Sequence, residues 1–180
     1  MVRNGQTRYK SKSIKGNVLI YRLIMQEDIK EILTTFFNQI ENGGHSTNHY
    51  PPFYSSLELK IGFGIGKDAN IPWVAFLGEG QTVQDGIFPV FYFFKNYHKI
   101  VLTYGVSEAN KPKRNWFVPP NTKTVKQYFE ALHFNPHKYH YSYIYEVYNT
   151  YRDLDFEKIK TDLDRLILRY KKIIQLKHPY

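Results

Sequence analysis

The sequence predicts an α+β fold: a curled, mainly antiparallel mixed β-sheet packed by helices, in a single domain. Three observations carry this expectation. Successive strand-like runs follow one another from residue 55 to residue 106, and the breaks between them are short enough for hairpins. Apolar residues recur at helical spacing before and after those runs. Helices and strands do not alternate regularly, which argues against a parallel sheet built from crossovers.

Taken in order, residues 1–25 form a basic tail, with Arg3, Arg8, Lys10, Lys12, Lys15 and Arg22 and no acid before Glu27. The folded domain is expected over 26–180. Ile29, Ile32, Leu33, Phe36, Phe37 and Ile40 predict an amphipathic helix over 26–41 that stops at Gly43 and Gly44. Residues 46–54, with Pro51 and Pro52, read as a loop. From Ser55 the period becomes two, with Leu57, Leu59 and Ile61 on one side and Glu58, Lys60 and Gly62 on the other. A glycine-rich turn over 62–66 follows, then strands over 72–77, 87–94 and 99–106. Gly78-Glu79-Gly80, Asp85-Gly86 and Lys95-Asn96-Tyr97 punctuate them. Thr122 or Thr124 is placed to cap a helix over 125–132, and 141–148 reads as a strand. Asp155 caps a long final helix whose stripe is Phe156, Ile159, Leu163, Leu166, Tyr170 and Ile173.

Composition narrows the function. The chain has 180 residues, 42% hydrophobic and 17% aromatic, with a formal charge of +9 and no cysteine. The apolar content argues against disorder, and no run of about 18 apolar residues offers a membrane span. The N-terminus lacks the apolar stretch of a secretion signal, so a cytoplasmic protein with no membrane partner is expected. Without cysteine there are no disulfides, cysteine nucleophiles or thiolate metal sites. A basic, aromatic-rich domain suits nucleic acid. Beyond the tail, charge gathers between Glu108 and Glu130 at Lys111, Lys113, Arg114, Lys123 and Lys126, in a loop with Pro112, Pro119, Pro120 and Trp116. Lys111, Lys113 and Arg114 are the expected phosphate contacts.

Signals for catalysis fail on spacing. In Gly64-Ile65-Gly66-Lys67 one residue separates the glycines and Asp68 follows the lysine, whereas a phosphate-binding loop needs four residues and a hydroxyl for magnesium. Glu58 and Lys60 resemble half of a nuclease metal site, but a surface strand of alternating character produces that spacing by default. His133, His137 and His140 are interrupted by Asn135-Pro136, and His45 and His49 form no recognised pairing with them. No catalytic residue, metal or cofactor is expected in this chain. The aromatics point elsewhere. Phe88, Val90, Tyr92 and Phe94 share one strand face, Ile87, Phe91 and Phe93 the other, so each face needs a cover or a pocket. Trp73, on the preceding strand, joins Phe88 and Tyr92 if the strands pair, as a candidate pocket for a flat ring.

The stretch from Tyr50 to Trp116 carries a specific pattern. It runs Tyr50-Pro51, Leu57-x-Leu59-Lys60 and Phe63-Gly64-x-Gly66, then Ile71-Pro72-Trp73-x-Ala75-Phe76-Leu77-Gly78-Glu79-Gly80-Gln81. It continues through Asp85-Gly86-Ile87-x-Pro89-Val90, Leu102-x-Tyr104-Gly105-Val106-Ser107, Asn110-x-Pro112 and Trp116, and fades toward Tyr128-Phe129 and Tyr170-Lys171. This pattern resembles the N-terminal DNA-binding domains of McrB, the GTP-dependent subunit of a modified-cytosine restriction system, over about residues 26–176.

The resemblance implies that a 5-methylcytosine or related base is flipped out of duplex DNA into an aromatic pocket. By position, Trp73 and Phe88 line that pocket and Tyr92 closes it. Gly64, Ile65, Gly66 and Lys67 form the intercalating loop, with Ile65 filling the gap in the stack. Asn70, Gln84 and Asp85 are candidates for reading the base edge. This chain differs from the family pattern in two places: Ile65 replaces an aromatic finger, and Tyr92 an aliphatic pocket residue. Both changes bear on which modification is preferred. The implied partners are double-stranded DNA with a modified cytosine, a GTPase motor domain and a separate nuclease subunit. Competing expectations are a small metal-dependent nuclease using Glu58 and Lys60, or a general single-strand binder.

Overall fold

A computed structural model describes residues 28–63, 71–136, 138–150 and 154–175. Helix α1, Ile29–Asn42, begins where the Asp28 carboxylate accepts the Lys30 N–H at 2.9 Å, and it ends at Gly43, whose φ is +79°. Ile29, Ile32, Leu33 and Phe36 form its buried face, as the spacing predicts. Within the expected loop a two-residue strand appears: β1, Phe53–Tyr54, pairs with β2, Leu57–Gly62. Ser55 and Ser56 turn the corner with φ of +48° and +65°, the double left-handed geometry of a tight hairpin.

Strands β3 (Trp73–Leu77), β4 (Ile87–Phe94), β5 (Lys99–Val106) and β6 (Tyr143–Asn149) complete a six-stranded sheet in the order β1-β2-β3-β4-β5-β6. Each neighbouring pair is antiparallel, so the mixed component expected from sequence is not found among the described residues. The register of β5 on β6 shifts between Leu102 and Thr103. Pairing of β3 with β4 stops at Ala75–Val90, one residue before Pro89, which has no N–H to continue a ladder. Val83 and Gln84, in the β3–β4 connection, line a cavity together with Phe88 and Val90.

Both faces of β4 are covered, by different elements. On one, Phe36 of α1 meets Phe63 with ring centroids 5.4 Å apart, Phe37 meets Phe93 at 5.3 Å, and Phe91 meets Phe76 at 6.1 Å. The final helix α3, Phe156–Gln175, adds Arg169, bonded to the Tyr104 hydroxyl at 3.0 Å, and Tyr170, tilted against Trp116. On the other face lies the short α2, Val125–Glu130, which ends before the expected residue 132. Thr124 and Gln127 cap it reciprocally. Its Phe129 sits 4.0 Å from Phe94, centroid to centroid. Among the described residues no helix is long and apolar enough to cross a membrane.

The most recognisable motif, Gly78-Glu79-Gly80-Gln81, is scaffold. A Cβ at Gly78 would overlap Ile174 and stand 3.0 Å from the Tyr170 hydroxyl oxygen, which instead accepts the Gly78 N–H at 2.8 Å. Gln81 Oε1 accepts the Ile87 N–H at 3.1 Å and closes the turn before β4. Burial pushes the Tyr170 phenol up to about 12. An unfolded tyrosine loses its proton near 10, so above that pH the unfolded state binds fewer protons than the folded one. This contribution is fully present below about pH 10 and lost as pH rises toward about 12. Tyr170→Phe orphans the Gly78 N–H and is expected to cost about 1–3 kcal/mol. It should also flatten the alkaline decline, measured by urea unfolding between neutral pH and pH 11. An unchanged slope would assign that decline to other groups.

Candidate nucleic-acid interface

Trp73 and Tyr92 are direct cross-strand partners, and Gly62 on β2 is the partner of Trp73 on its other side. A Cβ at Gly62 would overlap the indole at Cε2 and Cζ2 and lie 2.5 Å from Nε1. The absence of that one atom lets the ring lie across the sheet. Phe88 and Tyr92 stand on the same face of β4, four residues apart, and both are buried. Together these rings border a cavity of about 500 Å3, also lined by Gln84, Lys138 and Tyr139.

Of the three rings singled out from sequence, Trp73 alone is partly open. Tyr92 is sealed by Tyr139, whose ring stacks on it with centroids 4.1 Å apart and planes inclined by 21°. The Tyr92 hydroxyl lies 3.3 Å from Ser142 Oγ, which is fully buried and accepts the Val106 N–H at 3.1 Å. Burial carries the Tyr92 phenol far above its ordinary range, so it stays protonated. Tyr139 adopts a left-handed φ of +66° and shares the cavity lining with Trp73. Its phenol is pushed up to about 12, mainly by burial and secondarily by the Glu108 charge. The half-buried pair Trp73 and Tyr139 therefore presents the accessible aromatic surface, over a floor of Phe88, Val90 and Tyr92.

The other predicted residues are dispersed. Gln84 is exposed at the cavity, and its carbonyl accepts both the backbone and side-chain N–H of Asn110 at 3.1 Å. Asp85 lies in the preceding turn, where its N–H donates to Thr82 Oγ1 at 2.9 Å, and it does not line the cavity. Gly64, Ile65, Gly66, Lys67 and Asn70 lie outside the described residues, as does His137. Lys111 borders a neighbouring cavity of about 530 Å3, together with Asn115, Trp116 and Tyr141. Lys113 is exposed. Arg114 is half-buried and donates to the Ile173 carbonyl at 2.6 Å, which completes the C-terminal end of α3. Glu58 and Lys60 pair with each other at 2.6 Å on the exposed face of β2. Among the described residues no group of three His, Cys, Asp or Glu side chains could hold a metal ion.

Sequence reasoning missed Tyr139, Glu108 and Ser142. No local pattern marks them, because a tertiary return of the chain after α2 brings 138–142 back over β4. Gly62 carried a signal: it shares the alternating face of Glu58 and Lys60, and pairing β2 with β3 places it under Trp73.

No protein-family profile matches this chain. Over 150 residues it is 37% identical to the "Type IV methyl-directed restriction enzyme EcoKMcrB subunit" of Escherichia coli (strain K12). The alignment covers 82% of this chain and 33% of that protein, so the chain spans about one third of the length of the curated relative it matches. The motif pattern around Trp73 and this alignment agree, and the chain is a relative of the McrB N-terminal domain.

Proposed function

We propose that this chain is a DNA-binding targeting module without catalysis of its own, recognising a modified cytosine that is flipped from the duplex into the Trp73–Tyr139 cavity. The observation that carries this reading is the cavity itself: two partly accessible rings lining one space above a buried apolar floor. A flat base gains about 1–3 kcal/mol by stacking on such a ring, which offsets the few kcal/mol needed to unstack it. The similar protein is named as a methyl-directed restriction enzyme subunit, which supports the same class of ligand. In the system so proposed, GTP-driven movement and DNA cleavage belong to other segments or subunits. Lys111 and Lys113 would meet phosphates beside the cavity, whereas Arg114 is committed to α3.

The test is an anisotropy titration of matched duplexes with cytosine, 5-methylcytosine, 5-hydroxymethylcytosine or N4-methylcytosine at one position. The expected result is a preference for at least one modified duplex at fixed salt. Equal affinity for all four would overturn the reading. Trp73→Ala should erase the preference, a loss of about 10- to 100-fold, while salt-dependent binding to unmodified DNA persists. Lys111→Ala or Lys113→Ala should weaken all four duplexes alike and reduce the salt slope by about one unit each.

A further inference from the structure

Glu108 is a carboxylate on a surface proposed to meet phosphates, between the cavities that contain Lys138 and Lys111. A negative charge there weakens binding to any duplex, so its placement calls for a compensating role. Its two oxygens are engaged by consecutive backbone groups. Oε2 accepts the Tyr139 N–H at 2.8 Å, and Oε1 accepts the His140 N–H. Two successive N–H groups aimed at one anion make a concave backbone nest, and the left-handed φ of Tyr139 produces it.

The base of this clamp is rigid. Glu108 stands two residues past the end of β5, and the intervening Ser107, which is buried, donates its N–H to the Gly86 carbonyl at 3.0 Å. A carboxylate fixed to the end of the sheet therefore determines where residues 139 and 140 stand. Their neighbours in sequence feel the same constraint. Tyr139 lines the cavity of Trp73, and Tyr141 lines the adjoining one. Besides the clamp, the stack on Tyr92 and the contact of the His140 ring with the Pro136 carbonyl restrain this segment.

We propose that Glu108 is a positioning residue for base recognition: by holding the Tyr139 and His140 backbone it sets the Tyr139 ring as the aromatic wall beside Trp73. This inference rests on the base-pocket reading above for its functional half, and on the clamp alone for its structural half. It gives Glu108 opposite effects on two kinds of binding. The charge opposes every duplex, and the clamp favours only the modified one.

Glu108→Gln separates them. The carboxamide keeps the size but offers one acceptor oxygen, and its NH2 meets an N–H it cannot accept from. In the variant, the Tyr139 and His140 amides should exchange with solvent at least about tenfold faster, read by hydrogen exchange without DNA. The preference for modified over unmodified duplex should fall about tenfold, while affinity for the unmodified duplex stays equal or rises. Unchanged amide exchange would overturn the clamp. Faster exchange with an unchanged preference would overturn its role in recognition, and so would an equal loss on both duplexes. A wild-type protein without any preference would refute the base-pocket reading instead, and the exchange measurement would still decide the clamp.

Discussion

Replacing Phe129 with alanine is expected to destabilise the protein by about 3–5 kcal/mol, the usual result of emptying a buried phenylalanine site. Phe129 is fully buried, with ring centroids at 4.0 Å from Phe94, 5.5 Å from Tyr97 and 5.7 Å from Phe134. It is also the anchor of a helix that cannot stand alone. α2 has six residues, whereas isolated helices shorter than roughly 12–15 are marginal in water. Its capping box contributes about 1 kcal/mol, too little to hold it without the buried face of Val125 and Phe129. The consequence reaches the cavity. The Val125 N–H donates to the Ser142 carbonyl at 2.8 Å, the Ile144 N–H donates to the Lys123 carbonyl at 2.9 Å, and Ser142 Oγ lies at Tyr92. Loosening α2 therefore frees Ser142 and, with it, the floor beneath Tyr139. Urea unfolding should show the lower midpoint, and the variant should lose preference for modified DNA at temperatures where its sheet is still folded. A cost below about 1 kcal/mol would mean that α2 is not a packed cover of β4.

The parts legible in the sequence were those set by local periodicity. Alternation in β2 and the apolar stripes of α1 and α3 survive into the structure because each element buries one face and leaves the other toward solvent. β4 has no alternation to read, since both of its faces are covered. Strand propensity and flanking turns located it, but the covers could not be assigned. β1 was hidden because two residues make no pattern, and its Ser55-Ser56 turn lacks the asparagine or glycine that usually signals left-handed geometry. At the candidate site, pairing logic brought Trp73 to Tyr92. It could not show that Tyr92 would be capped. That depends on Tyr139, which follows β4 by strand β5, a loop and helix α2, and whose backbone N–H is held by Glu108. Motif strength was likewise a poor guide to role, since Gly78 and Gln81 close the β3–β4 connection and line neither of the two cavities described above.

Gly62→Ala is expected to abolish the proposed preference for modified DNA nearly as completely as Trp73→Ala, although Gly62 presents no side chain to any ligand. The added methyl would overlap the indole carbons and lie 2.5 Å from Nε1, and the obstructing atoms belong to a rigid ring that cannot yield by a small torsion. The strand itself tolerates alanine, so the indole must swing away from the sheet and leave its place beside Tyr139 in the cavity. Overpacking of this kind costs about 1–3 kcal/mol, and the functional loss should exceed what that destabilisation explains in a protein still folded. Red-shifted tryptophan emission would report the displaced ring. The decisive comparison is the double variant. If Gly62 acts through Trp73, Gly62→Ala should change the preference little once Trp73 is already alanine, because both substitutions remove one and the same surface. Additive losses would mean that Gly62 matters to the backbone of β2 and not to the ring above it.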